Sequence, residues 1–479
     1  MPHVQADSAK AQTSGARPGR LALVVAVGLL VWALPRPADV DPRAWRLLAI
    51  FVATVVGIIA KPLPMGAVAV TGIAAALATR TLTITEALSG FAQGTVWLVV
   101  SAFFLACGFV KTGLGARIAY ALVSVFGRST LGVGYSLVAT DLILAPAIPS
   151  NTARAGGVIF PILQSISKTA LGEDPIKGRQ TSAFLTLTAY QGTVITSTMF
   201  VTAIVSNPLV VQLAAAQNII ITWTSWAVAA VVPGTVSLIL IPLVVYLLCP
   251  PAVVKTPEAP VLARSALAAL GPMKRSEKLM GLVSVILLVA WIFGTALRLD
   301  ATAAALMAIA ALLVTGVLSW DDITHEREAW NTFVWFATLV MMATFLGSLG
   351  LIKWFSGQVG SIFGGIGWLP GFLGLSLTYF YSHYFFASTT AHVSAMYAPF
   401  LAVALALGAP PLLAALVLGF FSTLFASLTH YGTAPAPILF GSGHVSLGTW
   451  WKVGGIVSVV NIAIWLGIGA AWWKVLGLW

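Results

Sequence analysis

Two short polar clusters interrupt a chain that is otherwise strongly apolar. The first reads Pro149-Ser150-Asn151-Thr152-Ala153-Arg154-Ala155-Gly156-Gly157, and the second reads Ser388-Thr389-Thr390-Ala391-His392. Hydroxyls and a carboxamide beside the free N–H groups of a helix start can replace the water shell of a carboxylate, and the helix dipole adds favourable potential there. One cluster per carboxylate suits a dianion held between them. The plainer account is that Ser and Thr back-bond to their own helix carbonyls, a common habit in membrane helices. Two matched Ser-x-Thr-Ala clusters at helix breaks make that account the weaker one.

Arg154 is the most unusual residue of the first cluster, because a guanidinium in an apolar setting is costly unless paired. Its candidate partners are an anionic substrate and Asp141, the only acidic residue in the broken stretch 130–170. His392 stands at the corresponding place in the second cluster and offers a potentially cationic group. Further along lie Tyr190-Gln191-Gly192-Thr193 and His430-Tyr431-Gly432-Thr433, within Pro- and Gly-bearing segments spanning 190–208 and 429–443. Such segments free backbone carbonyls that can coordinate a cation or shape a pocket, so Thr193, Gly432 and Thr433 join the candidate site. An ordinary proline kink at Asn207-Pro208 is the competing account of the first.

No enzyme constellation competes. His383, His392, His430 and His444 share one C-terminal stretch, but no two stand at i, i+4 and no Cys or Glu lies nearby to complete a metal site. Cys107 and Cys249 offer no disulfide framework. The sequence carries no phosphate loop, so primary active transport by this chain alone is not expected, and no cofactor is expected either.

The elements that must position these clusters follow from composition. Of 479 residues, 59% are hydrophobic and 8% charged, against roughly 25% charged in a soluble domain. A soluble surface cannot be built from so few charges. Mean hydropathy is +0.97, and apolar runs long enough to cross a bilayer recur along the chain. Period-2 alternation is absent, which excludes an outer-membrane barrel. The expected fold class is therefore an all-α polytopic membrane protein. The net charge of +11 is dispersed between apolar runs, which fits topology signals and not a nucleic-acid footprint.

About eleven spans are expected, near 21–35, 44–60, 64–79, 95–112, 181–214, 222–248, 279–297, 300–318, 332–350, 411–440 and 453–473. Residues 130–170 and 366–403 are each too long for one crossing and broken at the centre, as expected of re-entrant hairpins. A disordered cytoplasmic tail over 1–20 and a first span with its loop over 21–43 precede them. The basic loop 250–278 belongs in the cytoplasm by the positive-inside rule, which puts the N-terminus inside and the C-terminus outside. Trp472, Trp473 and Trp479 suit an interfacial anchor at that end.

A repeat is visible in the numbering. Trp97 and Trp335, Ser150 and Ser388, Thr152 and Thr390, Arg154 and His392, and Pro161 and Pro399 are each 238 apart (335−97, 388−150, 390−152, 392−154, 399−161). The Gly-Thr pairs at 192 and 432 follow at 240 (432−192). Repeat 1 is expected over 44–249 and repeat 2 over 279–479, and five spans between mates make the second half inverted. Inverted repeats with broken helices mark secondary transporters that bind substrate near the midplane.

The run Pro149 to Pro161 and the run Leu428-Thr-His-Tyr-Gly-Thr-Ala-Pro-Ala-Pro437 resemble the divalent anion:sodium symporter family. The likeness covers about residues 40–475. It is nearest the branch of citrate/succinate and tartrate/succinate exchangers and the plastid 2-oxoglutarate/malate translocator. The resemblance implies substrate contacts at Ser150, Asn151, Thr152, Ser388 and Thr390, a homodimer, and an elevator in which a mobile part carries both hairpins. Thr389 stands where sodium-coupled members have a second Asn, which puts a sodium role there in doubt; a first sodium site could persist at Ser150, Asn151 and Gly192. The expectation is an inner-membrane carrier of malate, succinate, 2-oxoglutarate, tartrate or citrate, working as a sodium-independent exchanger. A sodium-coupled symporter and an anion channel are the alternatives.

Overall fold

A computed structural model describes residues 17–169, 175–362 and 367–479. The tail expected over 1–20 lies outside the described residues as far as residue 16, as does the first residue of the stretch 366–403. Described residues are helical throughout, with no strand beyond one isolated bridge from Ser129 to Lys255. Seven helices among them are long and apolar enough to cross a membrane. Shorter apolar helices, including Pro18–Ala33, Met65–Ala78 and Ala301–Val314, supply others of the expected spans. Sequence chemistry sets several starts. Pro42 opens Pro42–Ala60 behind an Asp41 cap, and Thr222 caps Trp223–Leu248 in a reciprocal box with Ser225.

One order of elements occurs twice. Long helix Gly94–Thr112 leads into amphipathic Leu114–Phe126, first hairpin leg Thr130–Leu144, a π-helical turn Ala153–Ile159 with helix Phe160–Thr169, and then helix Pro175–Met199. The second pass reads Arg327–Ser348, Leu351–Ile362, Trp368–Tyr381, a π-helical turn Val393–Tyr397 with Ala398–Ala406, and Pro411–Leu424. First legs of 15 and 14 residues rise about 22 Å at most, short of a hydrocarbon core of about 30 Å. The two legs of each hairpin pack on one another. Residues 389–406 pass the length test for a crossing, yet they form the returning leg of the second hairpin.

Three expectations are corrected. The loop 250–278 contains helix Glu258–Leu270, which packs along Leu114–Phe126. Trp473 is a core residue whose indole N–H donates to Ala229 O at 2.8 Å, leaving Trp479 as the exposed member of the C-terminal trio. The third concerns the first helix break. Residues 190–193 lie inside unbroken helix Pro175–Met199, and the chain opens only at Phe200 to Val205 before Ser206–Ala215. Phe200 and Ile204 are extended, and Pro208 has no N–H to return to residue 204. In the second repeat the opening spans Thr429 to Ala434, before Pro435–Phe440. The two breaks therefore correspond at an offset of 229, which pairs Pro208 with Pro437 (437−208) and Ala203 with Gly432 (432−203).

Candidate functional site

Both polar clusters sit at hairpin tips, and their residues match position by position. Ser150 and Ser388 are half-buried helix caps, each hydroxyl oxygen accepting from the backbone N–H three residues on, Ala153 and Ala391. Asn151 and Thr389 are 6% and 5% exposed, Thr152 and Thr390 are partly exposed, and Arg154 and His392 are wholly buried. The serines cap and do not back-bond. A capping hydroxyl keeps its own O–H for a ligand, and the first N–H groups of a helix have no intrahelical acceptor.

The first tip meets both breaks. Thr202 Oγ1 donates to Pro146 O at 2.6 Å, and Asn151 Nδ2 donates to Thr433 Oγ1 at 3.1 Å. The structure thus sets the first tip against the second break, with Asn151 beside Thr433. It does not bring Thr193 there through any hydrogen bond. That side chain is buried in helix 175–199, its hydroxyl without a partner. Gly192 lies in the same helix, where an added Cβ would stand 2.6 Å from Val138. It is a helix-packing glycine, so a cation site at Ser150, Asn151 and Gly192 has no opened backbone at Gly192 to draw on.

Arg154 is spent inside the protein. Its Nε donates to Asp141 Oδ1 at 3.0 Å, Nη1 to Ile148 O at 2.5 Å and Ala203 O at 2.6 Å, and Nη2 to Ser197 Oγ at 2.7 Å. Thr196 donates to the other Asp141 oxygen. A buried guanidinium with every side satisfied is a structural tie, not a counter-charge facing a ligand. His392 is likewise enclosed, between Phe386 and Phe425 at 4.4 Å centroid distances, with His383 Nδ1 3.1 Å from its Nδ1. Sequence reasoning weighed His383 only as a metal ligand; its Nε2 lies 3.0 Å from Gly432 O. Asn207, weighed in the sequence only as part of a proline kink, has a role of its own. Its amide nitrogen closes the first break through Ser197 O and Phe200 O, and its oxygen accepts from Thr423 in the other repeat.

Known proteins resemble this chain over nearly its whole length. The family model for the sodium:sulfate symporter transmembrane region matches residues 17–479. YflS of Bacillus subtilis (strain 168), provisionally named a malate transporter, is 54% identical over 462 residues, covering 96% of each chain. Dicarboxylate transporter 1, chloroplastic, of Arabidopsis thaliana is 50% identical over 462 residues, covering 95% of this chain and 82% of that one. Among solved structures, the YdaH transporter of Alcanivorax borkumensis superposes with a TM-score of 0.54 at 14% identity, covering 95% of this chain and 96% of that one. MtrF of Neisseria gonorrhoeae gives 0.55 at 11% identity, with 95% and 93% covered. These two likenesses speak for the fold alone.

Proposed function

The chain belongs to the sodium:sulfate symporter transmembrane family and is a multi-pass membrane transporter, and from that premise we propose that it exchanges small dicarboxylates across the bacterial inner membrane. The observation that carries this reading is the matched pair of capped tips, whose Ser and Thr side chains stay partly open while every charged or imidazole group behind them is consumed. Malate, succinate, 2-oxoglutarate, tartrate and citrate are the candidate cargoes, and the malate and dicarboxylate names of its relatives favour the dicarboxylates among them. One carboxylate sits at Ser150, Asn151 and Thr152, the other at Ser388 and Thr390. Each is held by hydroxyl and amide donors and by the positive end of a helix worth roughly half a charge. Hairpins and breaks move together against the remaining helices in an elevator, within a homodimer whose N-termini face the cytoplasm.

Sodium independence rests on where the break carbonyls point. Ala203 O accepts from Arg154, and Gly432 O faces His383. One carbonyl of each break is thus already met by a hairpin side chain, and Thr389 adds no carboxamide oxygen. The second reading, a sodium-coupled symporter, is favoured by one observation: Asp141 cancels the charge of Arg154, so a bound dianion meets no net fixed cation there. Counterflow in proteoliposomes loaded with one dicarboxylate, offered a panel outside with and without sodium, tests both. A channel would instead show substrate-independent conductance in a planar bilayer.

A further inference from the structure

The offsets of 238 for the hairpins and 229 for the breaks bring four hydrogen bonds into two matched pairs. In repeat 1, Thr202 Oγ1 in the break donates to Pro146 O in the hairpin at 2.6 Å. In repeat 2, the mates of those residues are Tyr431 (431−202 is 229) and Tyr384 (384−146 is 238), and Tyr431 OH donates to Tyr384 O at 2.9 Å. The second pair runs the other way, from hairpin side chain to break carbonyl. Arg154 donates to Ala203 O at 2.6 Å, and the mate of Ala203 is Gly432, whose oxygen lies 3.0 Å from His383 Nε2.

The donor differs between the repeats for a reason of reach. His392, the mate of Arg154, has a side chain too short to arrive at the break, and it contacts His383 Nδ1 at 3.1 Å instead. A carbonyl can only accept, so His383 must carry its hydrogen on Nε2, which leaves its Nδ1 to accept from His392 Nδ1–H. Nε2 of His392 then accepts from the Ser382 hydroxyl, 3.1 Å away, which turns its single hydrogen to the ring in place of Tyr379 O at 2.8 Å. Both rings complete this chain in the neutral form, which suits His383 stacked 3.8 Å from Phe425 and His392 held between two phenylalanines. Residue 432 is a glycine because a Cβ there would stand 2.7 Å from His383 Nε2.

We infer that His383 is a positioning residue which, with Tyr431, buckles the second hairpin to the second break, as Arg154 and Thr202 buckle the first. The buckle fixes Gly432 and Thr433 against both tips, since Thr433 also accepts from Asn151 of the first. Tip and break then move as one body, and the donors meant for the substrate keep their spacing. This inference rests on the tips being the substrate site.

Two substitutions separate the carbonyl tie from the ring pair. His383→Gln keeps a donor at the place of Nε2, whereas His383→Asn keeps one only at the place of Nδ1. Hydrogen–deuterium exchange over 429–434 in the detergent-solubilised full chain reads the tie without any transport. Dicarboxylate counterflow reads its consequence. H383N should speed exchange of those amides at least fivefold and raise the apparent substrate constant about fivefold to tenfold, with a smaller change in maximal rate; H383Q should restore both. Wild-type protection and substrate constant in H383N would overturn the inference, as would equal damage from H383Q. Should H383N fail to reach the membrane, Tyr431→Phe carries the same readouts, and wild-type values there would likewise overturn it. Protection that follows this pattern in a protein moving no dicarboxylate would keep the buckle and reject the proposed cargo.

Discussion

Asn151, Thr152, Ser388 and Thr390, together with Ser150, sit at the two hairpin tips beside helix N–H groups that have no intrahelical acceptor. Losing one hydrogen bond to a charged group costs about 1.5–3 kcal/mol, about tenfold to over a hundredfold in affinity. Asn151→Ala and Thr152→Ala should therefore nearly abolish uptake in protein that stays folded, and Ser388→Ala or Thr390→Ala should raise the apparent substrate constant. Thr193→Val, which removes a buried hydroxyl with no partner, should leave uptake within about twofold. Wild-type kinetics in the first pair, or a collapse in T193V, would displace the site from the tips. All four tip residues were legible in the sequence because residue type, spacing and repeat offset agree on them. Arg154 was legible only as an anomaly: whether it faces Asp141 or a ligand depends on how two legs close, which spacing alone does not give. The misplacement of Thr193 has a different origin. Its Gly-Thr dipeptide mimics that at 432–433 at an offset of 240, whereas the backbone obeys 229.

Elements are held by close approaches that leave no room for a side chain. A Cβ on Gly90 would stand 2.0 Å from Ala337 O, within the contact between the turn Ser89–Ala92 and helix Arg327–Ser348. One on Gly454 would stand 2.5 Å from Ser427 O and 2.8 Å from Leu428 O, where the last long helix supports the lead-in to the second break. Backbone cannot yield as a flexible side chain can, so each alanine should cost about 1–3 kcal/mol. Gly90→Ala should lower the melting temperature in detergent while sparing the substrate constant; Gly454→Ala should lower the one and raise the other. Arg43 ties another pair of elements, its Nη2 lying 2.8 and 2.7 Å from the two Glu86 oxygens. That hydrogen bond, joined by those from Thr83, holds the Glu86 carboxyl below its ordinary range. A lowered carboxyl stabilises the fold above its unfolded pKa and loses that contribution as pH falls through the folded one. The melting-temperature gap between wild type and Glu86→Gln should thus be widest near neutral pH and shrink below about pH 4; a gap independent of pH would refute the assignment. Most of the long apolar helices were legible from hydropathy alone. Helix Glu258–Leu270 was not, because it is amphipathic and its apolar face answers a partner, Leu114–Phe126, distant in sequence.

At the scale of the whole molecule the question is what travels when the site is empty. A dicarboxylate brings about two negative charges into a low-dielectric setting, which is strongly disfavoured unless offset. Fixed cations cannot supply the offset as simply as Arg154 first suggests, because Asp141 accompanies it and His392 completes its hydrogen bonds without a charge. What remains is two helix starts, each worth roughly half a positive charge, and the hydroxyl and amide donors around them. None of these leaves with the substrate. An empty carrier would have to drag uncovered donors and helix ends past apolar scaffold, whereas a loaded one covers them with the dianion. On the proposed site, return would be easiest with another dianion aboard, which is the exchange proposed above. A bound sodium ion would change the balance by leaving with the cargo, but the carbonyls of both breaks already face hairpin donors at Ala203 and Gly432. Proteoliposomes loaded with dicarboxylate in choline or potassium buffer should therefore take up labelled dicarboxylate at full rate, and empty vesicles should take up little whether or not a sodium gradient is imposed. Net uptake into empty vesicles that requires sodium would sink this account, and would place the missing positive charge in a bound ion at the first tip, where Asn151 still offers a carboxamide oxygen.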